Sequence, residues 1–315
     1  MVHLVKALLG GAYSPGEVFA QFRSMYEADT SDREIWQVIR WGQSKNPTPY
    51  RAWQKGSPPM NYYSARCPSA AEIVKKTSIA QAIANARDYL DGFEITEADL
   101  HDASVIPLPS DFPEDTALVF SSLYEADEFV CVNSTYRIDR NVAGSEKATP
   151  VGAGVTHTVQ QWGELIKSRK ERPTPAGVWI RMNPVTETGS GKAGAHTDDD
   201  VTDYRFVLIE FDSIPLEIQL SLLCSLYWPV AMICSSGGKS YHAWILSGCT
   251  DRESYDRKTE SIYRELAKFK VDPSNANPSR YSRLPGVKRE IGAVGSGEQK
   301  IIYLNPKASL EHPIL

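Results

Sequence analysis

The chain has 315 residues, 42% of them hydrophobic, and its formal net charge is −5 at pH 7. This composition predicts a soluble globular protein of one or two domains and excludes the strongly basic character of a dedicated nucleic-acid-binding domain. No apolar run approaches the roughly 18 residues of a membrane span, and the opening segment is too short in its apolar part for a secretory signal. We therefore expect a cytoplasmic protein without membrane contact. Five cysteines without any C-x-x-C spacing indicate neither a disulfide framework nor a zinc site.

The N-terminal part of the chain, residues 1–104, is predicted to be helical. The sequence S-A-A-E at 69–72 is a capping-box pattern that should begin a helix running to about Leu90. Residues 107–115 (PLPSDFPED) form a proline-rich connector, which is the strongest signal of a domain boundary. We therefore predict a helical N-terminal region, 1–104, followed by a second domain, 105–315.

The second domain is predicted to be of the mixed α/β class (α+β). Helices and strands alternate up to residue 200, with a glycine-rich loop at 186–195. From residue 204 onward the order is β-α-β-β-α-β, the ferredoxin-like or RRM-like split unit. The predicted helices are 116–123, 159–167, 215–226 and 254–270, and the predicted strands are 128–132, 178–182, 206–211, 230–234, 241–246 and 300–304.

That unit brings distant stretches of the chain together if its strands take their usual order of 4-1-3-2. The first strand then lies between the third and the fourth, and its end meets the turn before the third strand and the segment after the second helix. Three stretches should converge at this edge of the sheet: Glu210 with Asp212, the segment 236–242 (SGGKSYH), and Asp272.

Glu210 and Asp212 stand two residues apart, so their carboxylates should project from the same face of the strand. Two ionised carboxylates side by side repel each other unless a cation lies between them, and Mg²⁺ and Mn²⁺ favour oxygen ligands. The plain alternative is a strand end whose acidic residues face solvent.

The turn before the third strand has the composition of an anion-binding hairpin. Its glycines, such as Gly238, allow backbone N–H groups to approach a phosphate, while Ser236, Lys239, Ser240 and His242 can add donors. A plain turn with a structural histidine remains the alternative. A Walker A loop is excluded, because the pattern would need glycine at residue 233 and a helix after the turn.

A basic stretch follows Asp272, with Arg280, Arg283, Lys288 and Arg289 and no acidic residue before Glu290. Taken alone, such a stretch is as well explained by a solvated surface. Its position beside a carboxylate pair and a phosphate-type turn favours a joint site for a metal ion and a phosphate.

Three further groups are weaker candidates. Arg181 and Asn183 lie just before the glycine-rich loop and could reach a nucleotide or a nucleic acid, although an ordinary strand end is the simpler interpretation. His196 with the acids 198–200 could bind a metal, but a solvated loop explains them as well. The aromatic residues could stack on bases or simply fill a core; they are Trp36, Trp41, Tyr50, Trp53, Tyr62 and Tyr63.

The motifs LIEFD (208–212), SGGKSYH (236–242) and VD (271–272) followed by NPSRYSRLPG (277–286) resemble the signature motifs of the archaeo-eukaryotic primase superfamily. More narrowly, they are similar to those of primase-polymerases from phages, plasmids and other mobile elements. The strong match covers about 200–305, and the resemblance implies an α/β subunit at 105–200 and an RRM-like catalytic subunit at 201–315. One departure is that glutamate precedes aspartate in the first motif, where aspartate is usual.

The resemblance implies a role for each motif residue. Glu210, Asp212 and Asp272 would bind two Mg²⁺ or Mn²⁺ ions. Ser240 and His242 would contact the triphosphate of the incoming nucleotide. Arg280 and Arg283 would hold the triphosphate or the nucleic-acid backbone, while Lys288 and Arg289 are expected further out, on template phosphates. The implied partners are nucleoside triphosphates and a single-stranded DNA template or primer, with a replicative helicase either fused or recruited.

Competing functions remain open at this stage. A rolling-circle nuclease would need a second histidine beside His242 and a catalytic tyrosine, and a nucleotidyl cyclase would have an acidic hairpin where Lys239 stands. A replication initiator or nucleic-acid-binding module that has kept the fold and lost catalysis is the main alternative from another class.

Overall fold

The structure, a computed structural model, describes residues 69–140, 146–168, 174–226, 228–309 and 314. They belong to a unit of the chain that begins at Pro68. The helices and the aromatic cluster predicted before residue 69 lie outside the described residues. Over the part that is described, no helix is long and apolar enough to cross a membrane.

The described residues form a mixed α/β structure with antiparallel sheets, which confirms the predicted fold class. The α-helices within them are α1 Ala70–Lys76, α2 Ile79–Leu90, α3 Glu97–Ala103, α4 Asp115–Leu123, α5 Val159–Ser168, α6 Leu216–Ser225 and α7 Arg252–Leu266. The strands are β1 Phe129–Asn133, β2 Tyr136–Arg140, β3 Glu146–Pro150, β4 Val155–Thr158, β5 Trp179–Arg181, β6 Phe206–Glu210, β7 Val230–Ser235, β8 Tyr241–Leu246, β9 Tyr281–Arg283, β10 Val287–Lys288, β11 Glu298–Gln299 and β12 Ile301–Leu304.

Two four-stranded sheets carry the architecture. The first sheet has the strand order β4-β1-β5-β9 and the second has the order β12-β7-β8-β6. Two short ribbons, β2–β3 and β10–β11, complete the strands. Every strand pair is antiparallel.

The second sheet and its two helices confirm the predicted β-α-β-β-α-β order, but the predicted strand order is wrong. The fourth strand, β12, pairs with β7 and leaves β6 at an edge of the sheet, so the order is 4-2-3-1. The outer edge of β6 is occupied by two tyrosine side chains and by the loop at Asp272. The end of β6 still lies beside the hairpin before β8, as expected, because β6 pairs with β8.

The second sheet is buried on both faces. Val207 and Ile209 of β6 point into a core shared with α1, α2, α3, α6 and α7. Phe206 and Leu208 point the other way, into a core shared with the first sheet, α4 and α5. Because side chains alternate along a strand, Glu210 lies on the face that looks toward the first sheet.

The predicted capping box at Ser69 is confirmed: its hydroxyl accepts a hydrogen bond from the Glu72 amide, and the Glu72 carboxylate accepts from the Ser69 amide. The helix does not run unbroken to Leu90. It ends at Thr77, and Ser78 caps a new helix by accepting from the Gln81 amide. The boundary at residue 104 stays a prediction, although α1, α2 and α3 share a core with the second sheet.

The outer edge of β6 is satisfied by groups from outside the sheet. The Tyr255 hydroxyl donates to the Phe206 carbonyl at 3.0 Å, and the Tyr263 hydroxyl donates to the Leu208 carbonyl at 2.5 Å. The Asp272 amide donates to the Glu210 carbonyl at 3.1 Å. Since an unpaired strand edge is a site for unwanted pairing, α7 and the loop after it protect this edge and fix Asp272 beside Glu210.

Replacing Tyr263 by phenylalanine should leave the buried Leu208 carbonyl without its donor and lower the free energy of unfolding by about 1–3 kcal/mol. The matched control is Tyr255→Phe, because the Phe206 carbonyl also accepts from the Asn183 side chain. Urea unfolding of both variants measures the effect. Equal losses of stability in the two variants would show that the loss does not depend on whether the carbonyl keeps a second donor.

Candidate active site

Glu210 and His242 face each other across the β6–β8 pair. They are directly opposite in register, and the His242 Nε2 atom lies 3.2 Å from Glu210 Oε1. Both side chains are largely buried, with 14% and 6% of their surface exposed. The buried Nε2 atom has no partner in hydrogen-bond geometry within the described residues.

The Glu210 carboxylate accepts hydrogen bonds from two segments of the chain. The Ser240 hydroxyl, from the β7–β8 hairpin, donates to Oε1 at 2.7 Å. The Asn275 amide, from the loop after Asp272, donates to Oε2 at 2.9 Å. Together with His242 these donors allow a buried carboxylate to remain ionised.

Asp212 lies next to this carboxylate, and the two acids influence each other. Burial works to raise the pKa of Glu210, but interaction with His242 and the hydrogen bonds it receives outweigh that effect and hold it well below its usual range. Burial and the neighbouring Glu210 charge raise the pKa of Asp212. Lys239 offsets this only partly, with its Nζ atom 3.7 Å from Asp212 Oδ2.

Asp272 is brought to the site through its backbone, while its carboxylate is engaged locally. The carboxylate accepts from the Ser274 amide at 3.0 Å and from the Ser274 hydroxyl at 2.9 Å. Accordingly, no group of three acidic, histidine or cysteine side chains among the described residues is arranged to hold a metal ion. The Glu210–Asp212 pair by itself suits a hard cation, because such an ion would relieve the repulsion between the two acids.

The β7–β8 hairpin is tightly folded, with the Ser236 amide donating to the Ser240 carbonyl. Gly237 has a φ of +65°, and a Cβ atom there would lie 2.5 Å from the Gly297 carbonyl oxygen, so only glycine fits. The amides of Gly238 and Ser240 donate to the Ser236 hydroxyl at 3.3 and 3.4 Å. Because these amides are already engaged, a phosphate at this hairpin would contact side chains first. To reach the amides, it would have to displace the Ser236 hydroxyl.

Arg283 and Arg289 form a cationic pair near the carboxylates. Burial and the charge of Arg289 lower the pKa of Arg283 to about 9, and burial also lowers the pKa of Arg289. Arg283 donates to the Ala176 carbonyl and lies over the Trp179 ring at 4.2 Å. Neither arginine forms an ion pair with an acidic side chain of the described residues within 4 Å.

Arg289, which was expected further out on template phosphates, contacts the β7–β8 hairpin and is partly buried. Its Nη1 atom donates to the Ser236 carbonyl at 3.3 Å, and its Nε and Nη2 atoms donate to the Ile291 carbonyl. Lys288, by contrast, is exposed and paired with Glu298 at 3.3 Å. The two neighbours thus point to different environments, Arg289 to the hairpin and Lys288 to the surface.

Arg280 and Arg181 are also placed differently from each other. Arg280 donates to Asn275 at 2.6 Å and to the Ser274 hydroxyl at 2.9 Å, which keeps it beside the Asp272 loop. Arg181 is buried, donates to the Ser279 carbonyl and lies over the Tyr281 ring at 4.3 Å.

The weaker candidates have structural partners. Asn183 joins the Phe206 backbone to the Pro278 carbonyl. Asp198 accepts hydrogen bonds from Ser279, Asn277 and Arg252, and so ties the glycine-rich loop to the segment after Asp272. Asp200 closes the glycine-rich loop, because it accepts hydrogen bonds from Ser190 and Thr197.

Three residues of the site were not singled out as candidates from the sequence. Asn275 holds Glu210, as described above. Gln219 of α6 accepts from the Tyr241 amide and donates to the Lys239 carbonyl, which anchors the hairpin. Ser282 contacts His242 from the first sheet. A buried polar residue in an apolar helix, as Gln219 is, was the one available signal.

No protein-family model matches the chain, and no curated protein sequence matches it either. Among solved structures, it is similar to the AEP domain of the primase-polymerase of cyanophage S-2L, with 18% identity and a TM-score of 0.39 over 64% of this chain and 95% of that one. It is also similar to the catalytic domain of primase RepB′ in complex with initiator DNA, with 12% identity and a TM-score of 0.36 over 62% and 89% of the two chains. A further structure of primase RepB′ has 13% identity and a TM-score of 0.33 over 60% and 56%.

Asp212→Asn should stabilise the metal-free protein at pH 7. Because the folded protein raises the pKa of Asp212, the group favours folding when protonated, and this contribution is lost as the pH rises. The gain should be no more than about 1 kcal/mol, since 36% of the side chain is exposed and solvent screens the charges.

Chemical unfolding of both proteins between pH 7 and pH 4 measures this difference. The difference in stability between the two proteins should narrow as the pH falls toward 3.8, the ordinary pKa of an aspartate carboxyl group. A variant that is less stable than the wild type at pH 7 would contradict the expectation that the two acids repel each other.

Proposed function

We propose that this chain is a divalent-metal-dependent nucleotidyltransferase, a DNA primase-polymerase that makes or extends primers in the replication of a phage, plasmid or other mobile element. One observation carries the proposal: the acids Glu210 and Asp212 interact electrostatically with the guanidinium groups of Arg283 and Arg289, neither of which forms an ion pair with an acid of the described residues. A metal ion with a polyphosphate has the complementary charges for both pairs.

The cation is assigned to the acids that the fold gathers. Glu210 and Asp212 would hold it, and Asp272 would join them once its carboxylate leaves Ser274. Mg²⁺ or Mn²⁺, when bound in two positions, lowers the pKa of an attacking hydroxyl and neutralises the leaving pyrophosphate.

The side chains around the acids would position the nucleotide. The His242 Nε2 atom, which has no hydrogen-bond partner among the described residues, would contact a phosphate oxygen. Lys239 stands exposed at the tip of the hairpin. Arg289 and Arg283 would bind phosphate oxygens. Little covalent work is left to protein groups, because phosphoryl transfer depends mainly on positioning and on stabilising charge.

The partners that follow are nucleoside triphosphates and a single-stranded template or primer, in a cytoplasmic setting. Arg280, beside the Asp272 loop, would contact the triphosphate or the nucleic-acid backbone. Lys288 is better placed for a template phosphate, because it is exposed. Arg181 is buried and would act on nucleic acid only through Tyr281 and Ser279.

The deciding experiment is primer synthesis and extension on a single-stranded template with labelled nucleotides, with and without Mn²⁺. Wild-type protein should incorporate nucleotide only with the ion. Asp212→Asn and Asp272→Asn should each reduce incorporation at least 100-fold while the protein stays folded, because each removes a charged ligand. Near-normal incorporation by folded Asp212→Asn would rule out the metal assignment.

An inactive replication initiator on the same fold is the second candidate, favoured by the capping of Ser274 by Asp272. Thermal unfolding with Mn²⁺ separates the two. A catalytic site should gain about 2.7 kcal/mol of stability when the ion is present at 100 times its dissociation constant. This gain should vanish in both Asp212→Asn and Asp272→Asn. If Asp272→Asn keeps the full gain, Asp272 is not a ligand and the inactive module is preferred.

Arg289 and Lys288 offer a matched pair for the nucleotide site. Arg289→Ala should weaken nucleotide binding at least tenfold without a template, since a partly buried cation that would bind the phosphates is lost. Lys288→Ala should leave nucleotide affinity unchanged and reduce the salt dependence of single-strand binding by about one phosphate contact.

Titrations of labelled nucleotide and labelled single strand at two salt concentrations measure both effects. Unchanged nucleotide affinity in Arg289→Ala would remove the arginine pair from the proposed site. Equal losses in the two variants would point to a general effect of net charge.

A further inference from the structure

Arg280 is linked to two of the acids of the proposed site through side chains that stand between them. Its Nε atom donates to the Asn275 side-chain oxygen at 2.6 Å, and the Asn275 amide nitrogen donates to Glu210 Oε2 at 2.9 Å. Its Nη2 atom donates to the Ser274 hydroxyl at 2.9 Å, and that hydroxyl donates to Asp272 Oδ2 at 2.9 Å. One guanidinium group therefore reaches both Glu210 and Asp272 through one intervening side chain each.

The orientation of the Asn275 amide follows from what its two neighbours are able to do. A guanidinium group only donates hydrogen bonds, so the oxygen of the amide must face Arg280. The NH₂ group then faces Glu210, where a carboxylate oxygen accepts. The reversed amide would set two donors against each other at Arg280 and two acceptors against each other at Glu210. Asn275 is only 1% exposed, so neither mismatch would have water as a substitute partner.

We propose that Arg280 is a positioning residue for the metal site: it fixes the Asn275 amide, and through that amide the Glu210 carboxylate, before a nucleotide binds. This inference rests on the proposed function, because it assigns a cation to Glu210. Asn275 uses one lone pair of Glu210 Oε2 and leaves the other for the ion. Without Arg280 the amide is free to reverse, and the carboxylate loses the donor that holds its orientation.

Charge and geometry predict opposite effects when Arg280 is removed. A cation near the acids repels a divalent ion, so a purely electrostatic role predicts tighter metal binding once the guanidinium is lost. A positioning role predicts weaker binding, because residues that orient a metal ligand typically change metal affinity about 10- to 100-fold. A role confined to nucleotide phosphates predicts no loss until a nucleotide is present. The capping of Ser274 by Asp272 does not depend on Arg280, since the Ser274 amide donates to that carboxylate as well.

Calorimetric titration of the full chain with Mn²⁺, in the absence of nucleotide, tests the proposal. Arg280→Ala should bind Mn²⁺ about tenfold more weakly than the wild type, and Asn275→Ala should show a similar loss. The double variant should lose no more than either single variant, because the two residues act through one contact. Arg257→Ala is the matched control: it removes an exposed arginine that pairs with Glu253 on α7, and it should leave Mn²⁺ affinity unchanged.

Side-chain amide NMR supplies a second measurement that needs no metal. The Asn275 Nδ2 signals, assigned by their loss in Asn275→Ala, belong to a buried amide with a fixed partner on each side. In Arg280→Ala these hydrogens should exchange with water at least about tenfold faster, because the amide is no longer held. Arg257→Ala should leave the exchange rate as it is in the wild type.

Unchanged or tighter Mn²⁺ binding by Arg280→Ala overturns the proposal, and so do fully additive losses in the double variant. If Arg280→Ala does not fold, Arg280→Lys is judged by the same criteria, because lysine keeps the charge and lacks the planar fork of donors. Mn²⁺ binding without any primer synthesis would defeat the proposed function and leave the positioning role standing. If the wild type binds no Mn²⁺, the proposed function fails, and the amide exchange rate alone decides whether Arg280 holds Asn275.

Discussion

The charge on Glu210 is the constraint on which the arrangement of the site depends. A largely buried carboxylate remains ionised only if donors surround it. Here the donors come from two elements that are distant in sequence, the hairpin at Ser240 and the loop at Asn275, with the His242 ring as the third neighbour. Each contact serves the carboxylate, and together they hold the strand end, the hairpin and the loop in one place.

The edge position of β6 makes this convergence possible. If β12 paired with β6, the Glu210 carbonyl would be used in the sheet and the loop at Asp272 could not reach it. Because β12 pairs with β7 instead, that carbonyl is free to accept from the Asp272 amide. Tyr255 and Tyr263 donate to the other outer carbonyls of β6. The loop at Asp272 can therefore reach the edge of the sheet while the rest of that edge stays protected from unwanted strand pairing.

Elements with strong periodicity were predictable from the sequence, and single contacts were not. The strands around Glu210 and His242 were located within one or two residues, because runs of apolar residues between turn signals define them. The order of the strands was missed, since both possible orders bury the same apolar faces. The rotamer of Asp272 depends on local capping of Ser274, and the place of Arg289 depends on the β10–β11 ribbon folding back after the Pro-Gly turn. No periodic pattern records such contacts.

The site contains two pairs of like-charged side chains. Glu210 beside Asp212 and Arg283 beside Arg289 each raise the free energy of the folded chain, because burial reduces the screening of their charges. Opposite charges across the site offset part of this cost, yet neither arginine reaches an acid within ion-pair distance. A neutral ligand would relieve neither pair, and a lone anion or a lone cation would relieve one. Only a ligand that carries both signs, such as a metal-bound polyphosphate, balances the whole arrangement, which is the physical reason for preferring nucleotidyl transfer to simple strand binding.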